Sequence, residues 1–150
     1  MALLWSWQRF QALDIDAVYD MLALRAKVFV LEQGPYLDPD GADRQAWHVF
    51  GRDAGGELLA YLRVVDPGAK FDEPSIGRVV VERTVRGQGH GHALMVQGVA
   101  RCSAAWPGRT IWMSAQTHLQ RYYQHHGFET VGDEYLEDDI AHVQMRRSAR

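Results

Sequence analysis

The richest chemistry in the sequence lies between Ile76 and His92. A β-branched run, Ile76-Gly77-Arg78-Val79-Val80-Val81, leads through Glu82-Arg83-Thr84-Val85 into Arg86-Gly87-Gln88-Gly89-His90-Gly91, and then into a helical pattern beginning at His92. Gly87, Gly89 and Gly91 let consecutive backbone N–H groups turn inward and let an anion approach without a clashing Cβ. The start of the following helix adds unpaired N–H donors and a partial positive charge, so a phosphate or pyrophosphate is the natural occupant. Arg86 can add a charged hydrogen bond. Two well-known phosphate loops do not fit. A nucleotide triphosphatase loop needs Gly-Lys-Ser/Thr, and a dinucleotide fingerprint needs a third glycine where His92 stands.

Other residue types that do chemistry are scattered. Glu32, Asp38, Asp40 and Asp43 crowd around the turn-rich stretch Gly34 to Asp43, which reads as an exposed loop. Aspartates in such a loop either attract a cation or bond their own backbone. Asp38-Pro39-Asp40-Gly41 lacks the ligand series of a calcium loop. Among seven histidines, His90-x-His92 and His125-His126 are the places to seek a metal. Adjacent helical residues point about 100° apart, and no cysteine or carboxylate completes a zinc spacing, so no metal is expected. Trp5, Trp7, Trp47 and Trp112 fall at strand positions and read as core or sheet-face residues. The lone Cys102 lies in an apolar stretch as a buried thiol, which suits a reducing cytoplasm.

The elements that must position these residues follow from periodicity. Trp5 and Trp7 alternate on a strand from Leu3 to Phe10. Ile15, Val18, Leu22, Ala26 and Phe29 recur at helical spacing behind Asp14 or Asp16 as cap. Ala46 to Arg52 and Glu57 to Val65 form a hairpin around Asp53-Ala54-Gly55-Gly56, and Ser75 to Val81 is a further strand. A helix over His92 to Ala105 stops at Trp106-Pro107-Gly108. Then come a strand from Thr110 to Ala115, a short helix from Leu119 to His126 ended by Gly127, and two weaker strands near Val131 and Val143. This is an α/β (α+β) arrangement, a mixed sheet flanked by helices.

Bulk properties narrow the function classes. The 150 residues are nearly half hydrophobic, enough for one core and one domain spanning 1–150. A net charge of −3 with both signs interspersed excludes a protein built to coat nucleic acid, and Arg146, Arg147 and Arg150 read as a solvated basic end. The N-terminus lacks the marks of a signal peptide, and no run approaches the roughly twenty apolar residues of a membrane span. A soluble cytoplasmic protein is expected.

The loop Arg86-x-x-Gly89-x-Gly91 after a β-branched strand resembles the pyrophosphate loop of the GCN5-related N-acetyltransferase (GNAT) superfamily, and Tyr122-Tyr123-Gln124-His125-His126-Gly127-Phe128 is similar to that family's aromatic-Tyr-x-x-x-Gly-Phe segment. Leu24-Arg25-x-x-Val28-Phe29-Val30-x-Glu32-Gln33, Tyr36-x-Asp38-x-Asp40, Ala115-Gln116-x-His118-Leu119-Gln120 and Tyr135-x-Glu137-Asp138 with His142 resemble the ElaA-like subfamily over nearly the whole chain. The resemblance implies a mostly antiparallel central sheet of about six to seven strands, with the fourth and fifth splayed apart. It also implies acetyl-coenzyme A as acyl donor, with Val79, Val80, Val81, Arg86, Gly87, Gln88, Gly89, His90, Gly91 and His92 holding it. The pantetheine arm would lie against the fourth strand as another strand would. A backbone N–H near Val79 or Val80 would stabilise the thioester oxygen during direct attack by a primary amine.

By the same resemblance Tyr123 protonates the departing thiolate, in preference to Tyr122. Otherwise Tyr123 is a core aromatic. The amine must lose a proton, and Glu32, Glu82, His118 and His142 are candidate acceptors, directly or through water. Many family members carry Asn at the end of the fifth strand. Here Ala115-Gln116 stands there, and Gln116 is the substitute. Glu32, Asp38, Asp40, Gln116 and His142 are the candidate acceptor-binding residues. Two rival functions share the architecture: an acyl-homoserine-lactone synthase, usually a longer chain, and a non-catalytic acyl-coenzyme A sensor, against which an intact Tyr123 argues. The Trp-bearing first strand, if at a sheet edge, offers a homodimer contact.

Overall fold

Alternation puts Trp5 and Trp7 on one face of β1 (Leu4–Arg9), where both pack against the core. The computed structural model describes residues 1–34 and 36–149; Pro35 of the predicted loop and Arg150 of the basic end lie outside them. Helix α1 (Ile15–Arg25) starts where the Asp14 carboxylate accepts the Ala17 N–H at 2.8 Å, the cap expected. The chain then runs into a π-helical stretch, Ala26–Glu32, where α-helical spacing was expected. The wider turn keeps Val28 and Phe29 buried while bringing Glu32 and Gln33 to a cleft.

Strands β2 (Ala46–Arg52) and β3 (Leu58–Val65) form the predicted hairpin, with Asp53 Oδ1 accepting the N–H groups of Gly55 and Glu57 at 2.9 Å each. Strand β4 (Ser75–Val81) keeps its predicted bounds. Helix α2 (His90–Ala105) begins two residues earlier than expected, because Gly89 at φ +84° makes the turn that starts it. Then follow β5 (Ile111–Gln116), the short α3 (Gln120–Gln124), and the hairpin of β6 (Glu129–Glu137) and β7 (Ile140–Arg147). Asp138 and Asp139 between β6 and β7 both have positive φ, as a tight two-residue hairpin requires.

The seven strands lie in the order β1-β2-β3-β4-β5-β7-β6, all neighbours antiparallel except β4 and β5. Helix α2 packs on one face, where Gly98 lets the helix approach Leu62: a Cβ there would meet Leu62 Cδ2 at 2.7 Å. Helix α1 covers the other through Met21, Leu24, Phe50, Tyr61 and Val80. Strand β3, covered on both faces, is buried throughout.

Two features open the sheet in the middle. Among the described residues strands β4 and β5 pair only at Ser75 and Trp112, so there the edge of β4 beyond Ser75 has no strand partner facing β5. In β4, Arg78 and Val79 together oppose the single residue Leu62, and Arg78 sits at φ +51°. That is a β-bulge, which bends β4 and leaves backbone groups outside the ladder.

The acidic loop is exposed only in part: Leu37, Pro39, Asp40 and Gly41 face solvent, and Asp40 accepts the Ala42 N–H at 3.1 Å, but its other aspartates are turned inward. Asp38 and Asp43 are buried, and with Asp40 they bind Arg25, Arg63 and Arg78. Arg25 contacts Asp38 and Asp43 at 2.8 Å each, and Arg63 reaches Asp40 at 2.5 Å and Asp43 at 3.0 Å. A guanidinium buried in α1 and another in the middle of β3 need carboxylates, and these aspartates meet that need. His48, also buried, bridges Tyr61 Oη at 2.7 Å and the Asp43 carbonyl at 2.8 Å, and burial lowers its pKa.

Candidate active site

The gap between β4 and β5 holds two cavities that meet. The first, about 450 Å³, lies between the open edge of β4, the start of α2 and the π-helical stretch. Val79, Val80 and Val81 form one wall, and Arg86, Gly87, Gly89, His90, Gly91 and His92 form the end. Gly87 and Gly89 have φ of +81° and +84°, with open space where a Cβ would project. The first N–H groups of α2 have no helical acceptor and converge there. His90 is buried, and its Nε2 has no hydrogen-bond partner among the described residues. At Gly91 a Cβ would come within 2.9 Å of Tyr122 Oη, so glycine lets that tyrosine close over the helix start. A backbone cradle, an orphaned imidazole nitrogen and an unpaired strand edge together suit an extended molecule with phosphates at one end.

The structure places several predicted residues differently from their expected roles. Arg86 forms a two-pronged pair with the Glu32 carboxylate at 2.9 and 3.0 Å, and its Nε donates to the Val81 carbonyl, so two residues assigned to separate ligands hold each other. Glu82 caps the turn after β4, accepting from the Thr84 N–H and hydroxyl. Those bonds lower its pKa, and it lines neither cavity. Bonded within its own turn and outside both linings, Glu82 does not stand where the expected proton acceptor would. Gln88 is exposed and lines neither cavity, and His118 stands exposed at the rim of the first. Asp38 and Asp40 line neither cavity and are held by arginines, so they do not present free carboxylates to an amine. His92 Nδ1 lies 3.0 Å from His126 Nε2, joining one member of each pair considered for metal. Among the described residues no three metal-ligating side chains converge.

The second cavity, about 100 Å³, is lined by Gln33, Tyr36, Arg78, Ser114, Glu137 and His142 among others. Five residues line both cavities: Gln33, Val79, Gln116, Leu119 and Tyr123. Gln116 Nε2 donates to Gln33 Oε1 at 2.9 Å, tying the end of β5 to the π-helical stretch across the junction. Tyr123 is buried and packs edge-on against Tyr122 and Phe128. Burial raises its pKa well above the ordinary phenol value, so it stays protonated at neutral pH. Burial also pushes Tyr122 and Tyr36 up to about 12.

His142, buried and paired across β5–β7 with Gln116, has Nδ1 at 2.7 Å from the Ile140 carbonyl. A carbonyl only accepts, so Nδ1 carries the hydrogen that it donates to Ile140. That Nε2 is 3.3 Å from Glu137 Oε2, and Tyr135 stacks on the ring. The Tyr135 hydroxyl is bonded to Ser114, which lies 3.4 Å from Glu137. Gln33, Tyr36, Ser114, Tyr135 and Glu137 were not among the residues expected at the site. A signal existed: Tyr135-x-Glu137 places two polar groups on one strand face, and the tight Asp138-Asp139 turn sets His142 opposite Tyr135.

Comparison with known proteins bears on this geometry. The family model for the acetyltransferase (GNAT) domain matches residues 40–149. A UPF0039 protein of Synechocystis sp. is 42% identical over 97% of this chain and 95% of its own length. The crystal structure of an acyl-CoA N-acyltransferase from Pseudomonas aeruginosa superposes with a TM-score of 0.93 at 41% identity, covering 98% of this chain and 100% of that one. The crystal structure of Escherichia coli ElaA gives 0.91 at 36% identity, covering 97% and 99%.

Proposed function

The chain belongs to the GNAT acetyltransferase family, and from that premise we propose that it transfers an acetyl group from acetyl-coenzyme A directly to a primary amine held in the same gap. The observation that carries this is the place of Tyr123, at the junction of a phosphate-suited cavity and a small polar one. A sensor needs only the first cavity.

Bound acetyl-coenzyme A supplies a thioester carbon open to attack. The backbone N–H groups around Gly87, Gly89 and the first turn of α2 hold its pyrophosphate, with His90 available as a further partner. The free edge of β4 at Val79 to Val81 bonds the pantetheine arm, and an N–H freed by the bulge at Val79 faces the oxygen that gains charge. Tyr123, kept protonated by burial, donates its proton to the departing sulfur. His142 accepts the proton the amine loses, because it lines the amine side with Glu137 beside its Nε2 to stabilise the charged ring. The new C–N bond forms as the C–S bond breaks, and no covalent enzyme adduct is involved.

The test is the melting temperature with and without coenzyme A, in the parent and in Gly89→Glu, followed by thiol release with a panel of amines. A ligand at a hundredfold excess over its Kd stabilises by about 2.7 kcal/mol, and the variant should abolish that shift. A folded parent that shows no shift would remove the reading.

A further inference from the structure

The gap does not end at the small polar cavity. Ile76, Gly77, Arg78, Ser114 and Glu137 also line an adjoining cavity of about 360 Å³, whose remaining lining includes Arg63, Lys70 and Phe71. Its two sides differ in charge. On one side, four cations, Arg25, Arg63, Lys70 and Arg78, share three carboxylates, those of Asp38, Asp40 and Asp43. Within these contacts the cations outnumber the carboxylates by one. The surplus falls to Lys70, whose side chain is 40% exposed and whose contact, Asp40 Oδ2 at 2.8 Å, is shared with Arg63 and Arg78. The Arg63 Nε–H has no hydrogen-bond partner among the described residues, although that side chain is 2% exposed. On the other side, Glu137 has no arginine or lysine partner among the described residues, and its ionic contact is with His142. A space with a surplus cation at one wall and an uncompensated carboxylate at the other is complementary to a molecule of the reverse polarity.

We propose that the acceptor is an amino acid, or another amine bearing a single carboxylate, with its amine toward Glu137 and His142 and its carboxylate toward Lys70. This rests on the acyl-transfer reading above. A diamine would set its second ammonium against Lys70 and Arg78, and a phosphate dianion would exceed the one surplus charge.

Thiol release from acetyl-coenzyme A is measured with L-amino acids, their decarboxylated amines, their carboxamides and O-phosphoethanolamine. The same compounds are tested for raising the melting temperature of the coenzyme A complex. Amino acids should exceed the matched amines and carboxamides in kcat/KM by about tenfold or more, the worth of a charged hydrogen bond. Lys70→Gln should erase most of that ratio, and Lys70→Arg should keep it. Decarboxylated amines, carboxamides or phosphoethanolamine reacting as well as the acids would overturn the proposal while leaving acyl transfer standing. If no amine of the panel, amino acids included, gives thiol release, the acyl-transfer reading ends. The melting assay then decides the carboxylate site: a shift by amino acids that Lys70→Gln loses supports it, and no shift overturns it.

Discussion

The two halves of the gap are built by opposite means. The cradle half comes from contiguous residues, Arg86 to His92, and works through backbone N–H groups that glycines expose. The hairpin half comes from the π-helical stretch and β4, β5, β6 and β7, and works through side chains such as Gln33, Tyr36, Arg78, Glu137 and His142, with Arg78 held from behind by Asp38. A backbone cradle suits a group common to every acyl-coenzyme A. A side-chain pocket can change its specificity without disturbing the cradle.

The comparison breaks most visibly in stability. Asp43→Ala should destabilise by about 3–5 kcal/mol, because it leaves Arg25 and Arg63 buried with a missing partner, and urea unfolding would read that loss directly. Next is the junction. Tyr123→Phe should lower kcat about a hundredfold with coenzyme A binding retained, since the hydroxyl and not the ring is assigned the proton; equal kcat would reduce Tyr123 to a packing residue.

Smaller still is a pH effect. Arg25 and Arg63 hold the Asp43 carboxyl below its usual range despite burial, so the folded state binds fewer protons than the unfolded one there. The resulting stability is complete above the ordinary aspartate pKa of about 3.9 and is lost as pH falls below it. Melting temperatures from pH 5 to pH 2 should fall more steeply in the parent than in Asp43→Asn. The smallest effect sits in the cradle, where Glu32→Gln releases Arg86 from a partly exposed pair and should tighten coenzyme A binding by about fivefold or less.

Much of the fold was legible. The element order, the bounds of β2 and β4, the Asp14 cap and the glycine turn before α2 all follow from local rules: alternation, capping and positive φ. The π-helical stretch was not, since a one-residue widening barely alters the spacing of Val28 and Phe29. The arginine partners of the acidic loop are not legible in the sequence for a physical reason. Turn-forming aspartates look alike whether they face water or a buried arginine, and nothing near Asp38 in the chain announces Arg63 or Arg78.

By itself the sequence determined the strand and helix pattern, the anion cradle and, through two matched motifs, the family. Each of these depends on residues within a few positions of one another. Only the tertiary structure decided that Glu32 holds Arg86, that Glu82 is a cap, that the acidic loop is neutralised, and that Glu137 faces His142 across from Lys70. Glu32 with Arg86, the arginines with the acidic loop, and Glu137 opposite Lys70 join residues that local spacing does not relate, whereas the Glu82 cap and the Glu137–His142 contact are local and only their place relative to the gap is tertiary.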